Sequence, residues 1–103
     1  MTYDFRGHLA PYSIIEMTFD DFQHHFVEAF PNSPTRLLIF EEYKRYLSDF
    51  QTLITGNFIQ WIDGSFVTQK SNPRDIDIVT LIDFEAYQSK KDVIYWKFCK
   101  IQF

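Results

Sequence analysis

The chain has 103 residues, of which 46% are hydrophobic and 19% aromatic. This composition excludes intrinsic disorder, and the length predicts a single domain over residues 1–103. The formal net charge of −4 disfavours nucleic acid as a bulk ligand, because an acidic protein repels phosphate backbones. The sequence contains no apolar run of membrane-spanning length and no secretory pattern near its start, so we expect no membrane association and a cytoplasmic location.

The N-terminal part of the chain predicts an arm followed by a helix. Residues 1–17 contain Gly7 and show no sustained helical period, so we expect an extended arm that lies on the domain. Thr18 is a suitable N-cap, and phenylalanines recur behind it at helical spacing. We therefore predict a first helix over residues 19–30, which ends before Pro31.

A longer second helix is predicted from its two ends. Ser33 before Pro34 is the preferred pair of N-cap and first-turn residues, and Gly56 stands where such a helix would end. Between them, apolar residues recur at helical spacing as far as residue 55. Residues 18–56 are therefore expected to form a helical region that packs on whatever follows.

The second half of the chain, residues 57–103, predicts a sheet that carries the functional site. We expect a buried strand at residues 58–62, a short helix or turn at 65–69 and a second strand at 76–82. Residues 84–91 are predicted to be a polar connection and residues 93–103 a third strand. Together with the two helices, these elements predict an α+β fold with a small mixed β-sheet.

Four residues near the connection between the two predicted strands indicate a site for phosphate and metal. Gly64 permits a sharp turn with close approach of a ligand, and Ser65 offers a hydroxyl to a phosphate oxygen. Asp75 and Asp77 are one residue apart, so on a strand they share a face and form one acidic site. Carboxylates together with phosphate oxygens are the ligands that Mg²⁺ prefers. The pattern therefore predicts a cradle for a nucleotide tail and a role in phosphoryl or nucleotidyl transfer.

Two basic residues lie close to these four in the sequence. Lys70 and Arg74 could each steady a phosphate group, and we include both among the predicted nucleotide-binding residues. Exposed cations in loops are more often simply solvated, so that alternative stays open. His24 and His25 are adjacent on a helix and point in different directions, which favours a solvated helix face over a metal site.

The segments Trp61–Lys70 and Asn72–Asp77 read WIDGSFVTQK and NPRDID. They resemble the signature of the polymerase-beta-like nucleotidyltransferase superfamily, and most closely that of short bacterial nucleotidyltransferase-like proteins. The resemblance implies a minimal nucleotidyltransferase fold with Mg²⁺ as cofactor. It also implies that Gly64 and Ser65 contact the triphosphate and that Asp75 and Asp77 are the catalytic metal ligands. The superfamily includes the antitoxin half of minimal nucleotidyltransferase toxin–antitoxin pairs.

The sequence departs from that pattern in one respect, because active members usually bring a third carboxylate from a neighbouring strand. Asp83 shares the face of Asp77, but six residues at about 3.3 Å each place it roughly 20 Å away. A third strand folding back antiparallel would set Phe98 and Lys100 opposite the aspartates, and a lysine does not bind a cation. We therefore expect catalysis to be weak or lost.

Three functional interpretations remain open from the sequence. The chain could be a nucleotidyltransferase that modifies a small-molecule or protein hydroxyl. It could instead be a catalytically degenerate binding module, such as an antitoxin-like subunit, that meets a protein partner or a second copy through aromatic surface or an open strand edge. Finally, the third carboxylate could lie beyond the present C-terminus.

Overall fold

The computed structural model describes residues 2–10 and 14–98 and has the predicted α+β character. Two antiparallel two-stranded sheets are combined with three α-helices in this part of the chain. None of these helices is long and apolar enough to cross a membrane. The elements are β1 (Thr2–Tyr3), β2 (Leu9–Ala10), α1 (Phe19–Gln23), α2 (Pro34–Leu53), β3 (Ile59–Asp63), β4 (Asp77–Leu81) and α3 (Phe84–Val93).

The predicted N-terminal arm is in fact a hairpin of β1 and β2 as far as the structure describes it. Its turn is held by the Asp4 carboxylate, which accepts hydrogen bonds from the backbone N–H groups of Arg6 (2.8 Å) and His8 (3.0 Å). Gly7 has a φ of 81°, in the left-handed region that favours glycine. Local turn chemistry therefore folds the arm back on itself.

The two predicted N-terminal helices are confirmed. The hydroxyl of Thr18 accepts a hydrogen bond from the Asp21 N–H (3.1 Å), and α1 continues as one π-helical stretch over His24–Glu28. The hydroxyl of Ser33 caps α2 by accepting from the Arg36 N–H at 3.2 Å. Both helices therefore start at side chains that satisfy otherwise unpaired backbone donors.

Strands β3 and β4 form an antiparallel hairpin in which Ile59 is opposite Leu81 and Asp63 is opposite Asp77. Exposed and partly buried residues alternate along both strands, so only one face lies on the core. The prediction of a fully buried first strand is therefore wrong. The predicted mixed sheet is also wrong for the described residues, because both sheets are antiparallel.

Residues 84–98 are helical, which corrects two predictions. The Asp83 carboxylate accepts a hydrogen bond from the Ala86 N–H (2.8 Å) and starts α3, so the predicted polar connection is a helix. The chain then continues as a π-helical stretch over Ile94–Phe98 where a third strand was predicted. Phe98 is therefore not on a strand opposite the aspartates, and Lys100 lies outside the described residues.

The core is largely aromatic and centres on the buried face of α2. Its larger cluster joins the first helix, α2 and the turn after β3, and consists of Phe22, Phe26, Val27, Phe40, Tyr43 and Phe66. A smaller cluster is formed where Phe50 and Ile54 meet Ile94. The second cluster explains why residues 94–98 return to α2 rather than pairing with β4.

A chain of polar side chains joins α2 to the inner face of the β3–β4 hairpin. The Tyr43 hydroxyl donates to Oε1 of Gln60, and Nε2 of Gln60 donates to Oγ1 of Thr80 (2.8 Å). The hydroxyls of Tyr46 and Thr80 lie 3.1 Å apart. Burial, with a smaller effect from Tyr46, raises the pKa of Tyr43 to about 12. These directional bonds orient the hairpin on the helix.

Candidate functional site

The turn after β3 brings Gly64 against Asp77. Gly64 has a φ of 85° and a ψ of −168°, a combination that residues with a side chain rarely adopt. A Cβ at Gly64 would overlap the carboxylate of Asp77. Because Asp77 is paired across the hairpin with Asp63, immediately before the glycine, the register itself produces this close approach.

A 3₁₀ turn follows the glycine at Ser65–Val67. Its hydrogen bonds run from the Val67 N–H to the Gly64 carbonyl (3.3 Å) and from the Thr68 N–H to the Ser65 carbonyl (3.2 Å). The N–H groups of Ser65 and Phe66 precede the first of these bonds and therefore have no partner within the turn. The predicted Gly64–Ser65 turn is thus present, and two of its backbone donors are not used within it.

The acidic residues occupy one end of the hairpin. Asp77 is the first residue of β4, whereas Asp75 lies two residues before it, outside regular secondary structure. The prediction that both aspartates are on the strand is therefore correct only for Asp77. Both side chains are exposed.

Another carboxylate at this end of the hairpin, Asp63, was not among the predicted site residues, and it does not complete a three-carboxylate metal site with other described residues. It is directly opposite Asp77, and its Oδ1 accepts a hydrogen bond from the Gly64 N–H at 2.8 Å. Asp83, in contrast, is the N-cap of α3. The register of the antiparallel hairpin was the missing signal, because pairing of the two predicted strands sets the ends of both strands side by side.

The two predicted basic residues lie in the connection between the hairpin strands. Lys70 and Arg74 are both exposed, and neither forms an ion pair with another described residue. The connection itself is anchored, since Pro73 is fully buried and the Ser33 hydroxyl donates to Oδ1 of Asn72 (3.1 Å). Their predicted role in phosphate binding remains a prediction.

The loop that carries the site is held from inside by Arg36, which is fully buried. Its Nη1 donates to the carbonyl oxygens of Phe26 (2.8 Å) and Phe66 (2.7 Å). Its Nη2 donates to those of Thr68 (2.8 Å) and Lys70 (2.6 Å). Burial lowers the pKa of Arg36, although the nearby Tyr3 raises it in part.

The oxygen atoms of the Asp75 and Asp77 carboxylates suit a metal ion that is shared with a phosphate-bearing ligand. Within residues 2–10 and 14–98, no three acidic, histidine or cysteine side chains converge to hold a metal by themselves. Mg²⁺ does not require such a group, because it commonly binds one or two carboxylates and completes its shell with phosphate oxygens and water. The carboxylates of Asp75 and Asp77 are available for that arrangement.

Comparisons with known proteins give a family and no activity. Residues 1–101 match the family described as a family of unknown function (DUF6932). Searches of curated proteins and of solved structures found no match. These comparisons assign no role to the six predicted site residues, so their roles can be argued only from the geometry of the site.

Proposed function

Because the chain belongs to the DUF6932 family, which has no known function, we propose a function from the site itself. The protein is a Mg²⁺-dependent nucleotidyltransferase that transfers a nucleoside monophosphate from a nucleoside triphosphate to the hydroxyl of a small molecule or protein. The hydroxyl oxygen bonds to the α-phosphorus, pyrophosphate leaves, and the hydroxyl proton passes to water. The observation that supports this proposal is the approach of the Asp77 carboxylate to Gly64. That contact places a candidate metal ligand against the turn whose first N–H groups, those of Ser65 and Phe66, form no hydrogen bond within the turn. We also propose that the chain has a minimal nucleotidyltransferase fold and that the protein is cytoplasmic.

In this proposal the residues of the chain bind and orient the triphosphate. The N–H groups of Ser65 and Phe66 and the Ser65 hydroxyl donate to phosphate oxygens. Asp75 and Asp77 hold Mg²⁺, which when bound neutralises charge on the phosphates. Lys70 and Arg74 add positive charge around an otherwise acidic site. The contribution of the protein is positioning and electrostatic stabilisation, and no covalent intermediate with the chain is required.

Calorimetric titration with MgATP tests the proposal. We expect the wild-type protein to bind MgATP, and Asp77→Asn and Asp75→Asn each to weaken binding by about tenfold or more, since each removes a metal-binding charge. Asp92→Asn is the matched control, because it removes an exposed carboxylate from α3. No heat of binding for the wild type with any of the common nucleoside triphosphates, or equal binding by all variants, would contradict the proposal.

Catalysis is tested separately with a radiolabelled nucleoside triphosphate. With label at the α-phosphate, we expect transfer to an acceptor in a lysate to be slow, because no third carboxylate joins Asp75 and Asp77 among the described residues, and to fail with Asp77→Asn. Binding without transfer would instead favour a second candidate, a catalytically degenerate module that binds a partner protein.

The outer face of the β3–β4 hairpin favours that second candidate. This outer face is defined by Ile59, Trp61, Val79 and Leu81, whose exposed fractions are 63%, 50%, 53% and 42%. The four are paired in two cross-strand rungs, so they form a continuous apolar surface. Such patches are typical of protein interaction sites. An antitoxin-like subunit would use this surface to hold its partner.

Charge-introducing variants on the outer face separate the two candidates. For a binding module, Trp61→Glu should abolish co-purification of a stoichiometric partner from the native host. Phe84→Glu is the control, because Phe84 is an exposed aromatic on α3. For an enzyme with no such partner, size-exclusion chromatography should show the same mass for the wild type and both variants.

A further inference from the structure

Arg36 is a buried cation that is satisfied almost entirely by one loop. None of the ion pairs among the described residues involves it. Three of the four carbonyls that it binds, those of Phe66, Thr68 and Lys70, belong to the segment that follows Gly64. These carbonyls come from alternate residues, so the loop wraps around the guanidinium group.

The plane of the guanidinium group is fixed by aromatic contacts. Its Cζ lies 3.8 Å from the centroid of the Phe30 ring and 5.1 Å from that of Phe66. Nε is the buried polar atom without a hydrogen-bond partner among the described residues. Four N–H groups of the fork are therefore committed to carbonyl oxygens, a pattern that only a planar, multidentate donor can provide.

The same loop is held from its other side by the N-terminal hairpin. The Gln69 N–H donates to the Gly7 carbonyl (2.9 Å), and His8 forms an isolated antiparallel bridge with Thr68. The loop is thus held between the hairpin and Arg36. The orientation of the backbone groups decides whether this loop can bind an anion, because carbonyl oxygens repel an anion whereas N–H and hydroxyl groups attract it.

We propose that Arg36 is the positioning residue of the nucleotide site. It draws the Phe66, Thr68 and Lys70 carbonyls inward, so the loop presents donors rather than carbonyl oxygens to the phosphates. Arg36 acts through the loop and does not touch the ligand. This inference rests on the proposed nucleotide-binding function, and it explains why a charged residue occupies the buried face of α2.

The competing explanation is that Arg36 supports folding alone, so the test must separate stability from binding. We compare Arg36→Lys and Arg36→Met with Phe50→Leu, which weakens the second core cluster away from the loop. MgATP affinity is measured at a temperature where all variants are at least nine-tenths folded, as judged by thermal melts. A purely structural residue would not change the affinity of the folded fraction.

We expect Arg36→Met to weaken MgATP binding by about a hundredfold or to abolish it, and Phe50→Leu to leave it unchanged. Arg36→Lys should restore part of the affinity, because an ammonium group has only three donors and no planar fork. Amide hydrogen exchange at residues 66–70 should rise in both Arg36 variants and stay low in Phe50→Leu.

If both Arg36 variants fail to fold, Phe30→Leu provides the second test. It leaves the arginine in place and removes the ring that fixes its plane, so we expect a loss of affinity of about three- to tenfold at normal stability. If folded Arg36→Met binds MgATP with wild-type affinity, the positioning role of Arg36 is overturned. The same holds for Phe30→Leu if the Arg36 variants do not fold. Neither result would affect the proposed nucleotide-binding function. A wild-type protein that binds no nucleoside triphosphate would overturn this inference together with the proposed function.

Discussion

Replacement of Gly64 by alanine tests the geometry on which the site depends. The backbone at Gly64 lies in a region that is essentially restricted to glycine, and forcing another residue into it costs about 1–3 kcal/mol. The new Cβ would also overlap the Asp77 carboxylate, but this carboxylate is the end of an exposed side chain and can rotate away, so the overlap should add only about 0.5–1 kcal/mol. We therefore expect Gly64→Ala to lower the free energy of unfolding by about 1.5–4 kcal/mol.

Urea unfolding followed by circular dichroism measures this loss. With a slope of about 2 kcal/mol per molar urea, the middle of the usual range, the midpoint should fall by roughly 0.7–2 M. Gly56→Ala is the matched control, because a Cβ at Gly56 meets nothing within 4 Å and its φ is not positive. That substitution should be neutral or stabilise the protein by up to about 1 kcal/mol.

A double-mutant cycle separates the two costs. In an Asp77→Ala background the overlap is removed while the backbone strain remains, so Gly64→Ala should cost about 0.5–1 kcal/mol less than it does in the wild type. Equal effects of Gly64→Ala in both backgrounds would refute the contact between Gly64 and Asp77. Equal midpoints for Gly64→Ala and Gly56→Ala would refute the unusual backbone conformation as well.

Three further predictions concern stability. Arg36→Met should lower the free energy of unfolding by about 3–5 kcal/mol in urea melts, since it leaves buried carbonyls unpaired; a loss below 1 kcal/mol, roughly, would contradict the bonding pattern. Because burial raises the pKa of Tyr43 to about 12 from 10.0, the contribution of Tyr43 to stability should be constant below pH 10 and fall by about 2–3 kcal/mol as the pH rises toward 12. Tyr43→Phe should remove most of this alkaline loss. Asp83→Ala should cost about 1 kcal/mol through loss of the α3 cap, whereas Asp92→Ala should cost less than half as much; equal effects would speak against the cap.

The helices of the first half could be predicted because their signals are local. Thr18 and Ser33 each cap a helix with their own hydroxyl group, so the start of each helix is encoded within four residues. The two strands of the hairpin were also predictable, although not their exposed outer face. A short apolar strand has the same sequence whether one or both faces are covered, and only the tertiary structure decides between them.

The segment after Asp83 was mispredicted because two signals compete within it. Its β-branched and aromatic residues favour a strand, whereas Asp83 at the N-cap and Lys90 and Lys91 in the last turn favour a helix. The helix forms, and burial of Ile94 against Phe50 keeps the continuation helical. Because Ile94–Phe98 is helical, this part of the chain does not form a strand beside β4 that could bring a third carboxylate to the aspartates.

Two important residues of the candidate site were absent from the sequence analysis, and each had a recoverable signal. Asp63 follows from strand register, since pairing the predicted strands end to end sets it opposite Asp77. Arg36 lies four residues before Phe40 and seven before Tyr43, on the buried face of α2. A charge at a core position of an amphipathic helix indicates a buried polar partner, but no local pattern shows that this partner is the backbone of a loop.

The pairing of Asp63 with Asp77 also determines how rigidity is distributed along the hairpin. Two negative charges on directly opposite residues repel each other, whereas the rungs formed by Ile59 with Leu81 and Trp61 with Val79 attract through apolar contact. The hairpin is therefore least stable at its acidic end. If Mg²⁺ binds there as we propose, it would cancel the repulsion and tighten the last rung, and its binding would then be thermodynamically linked to closure of the sheet.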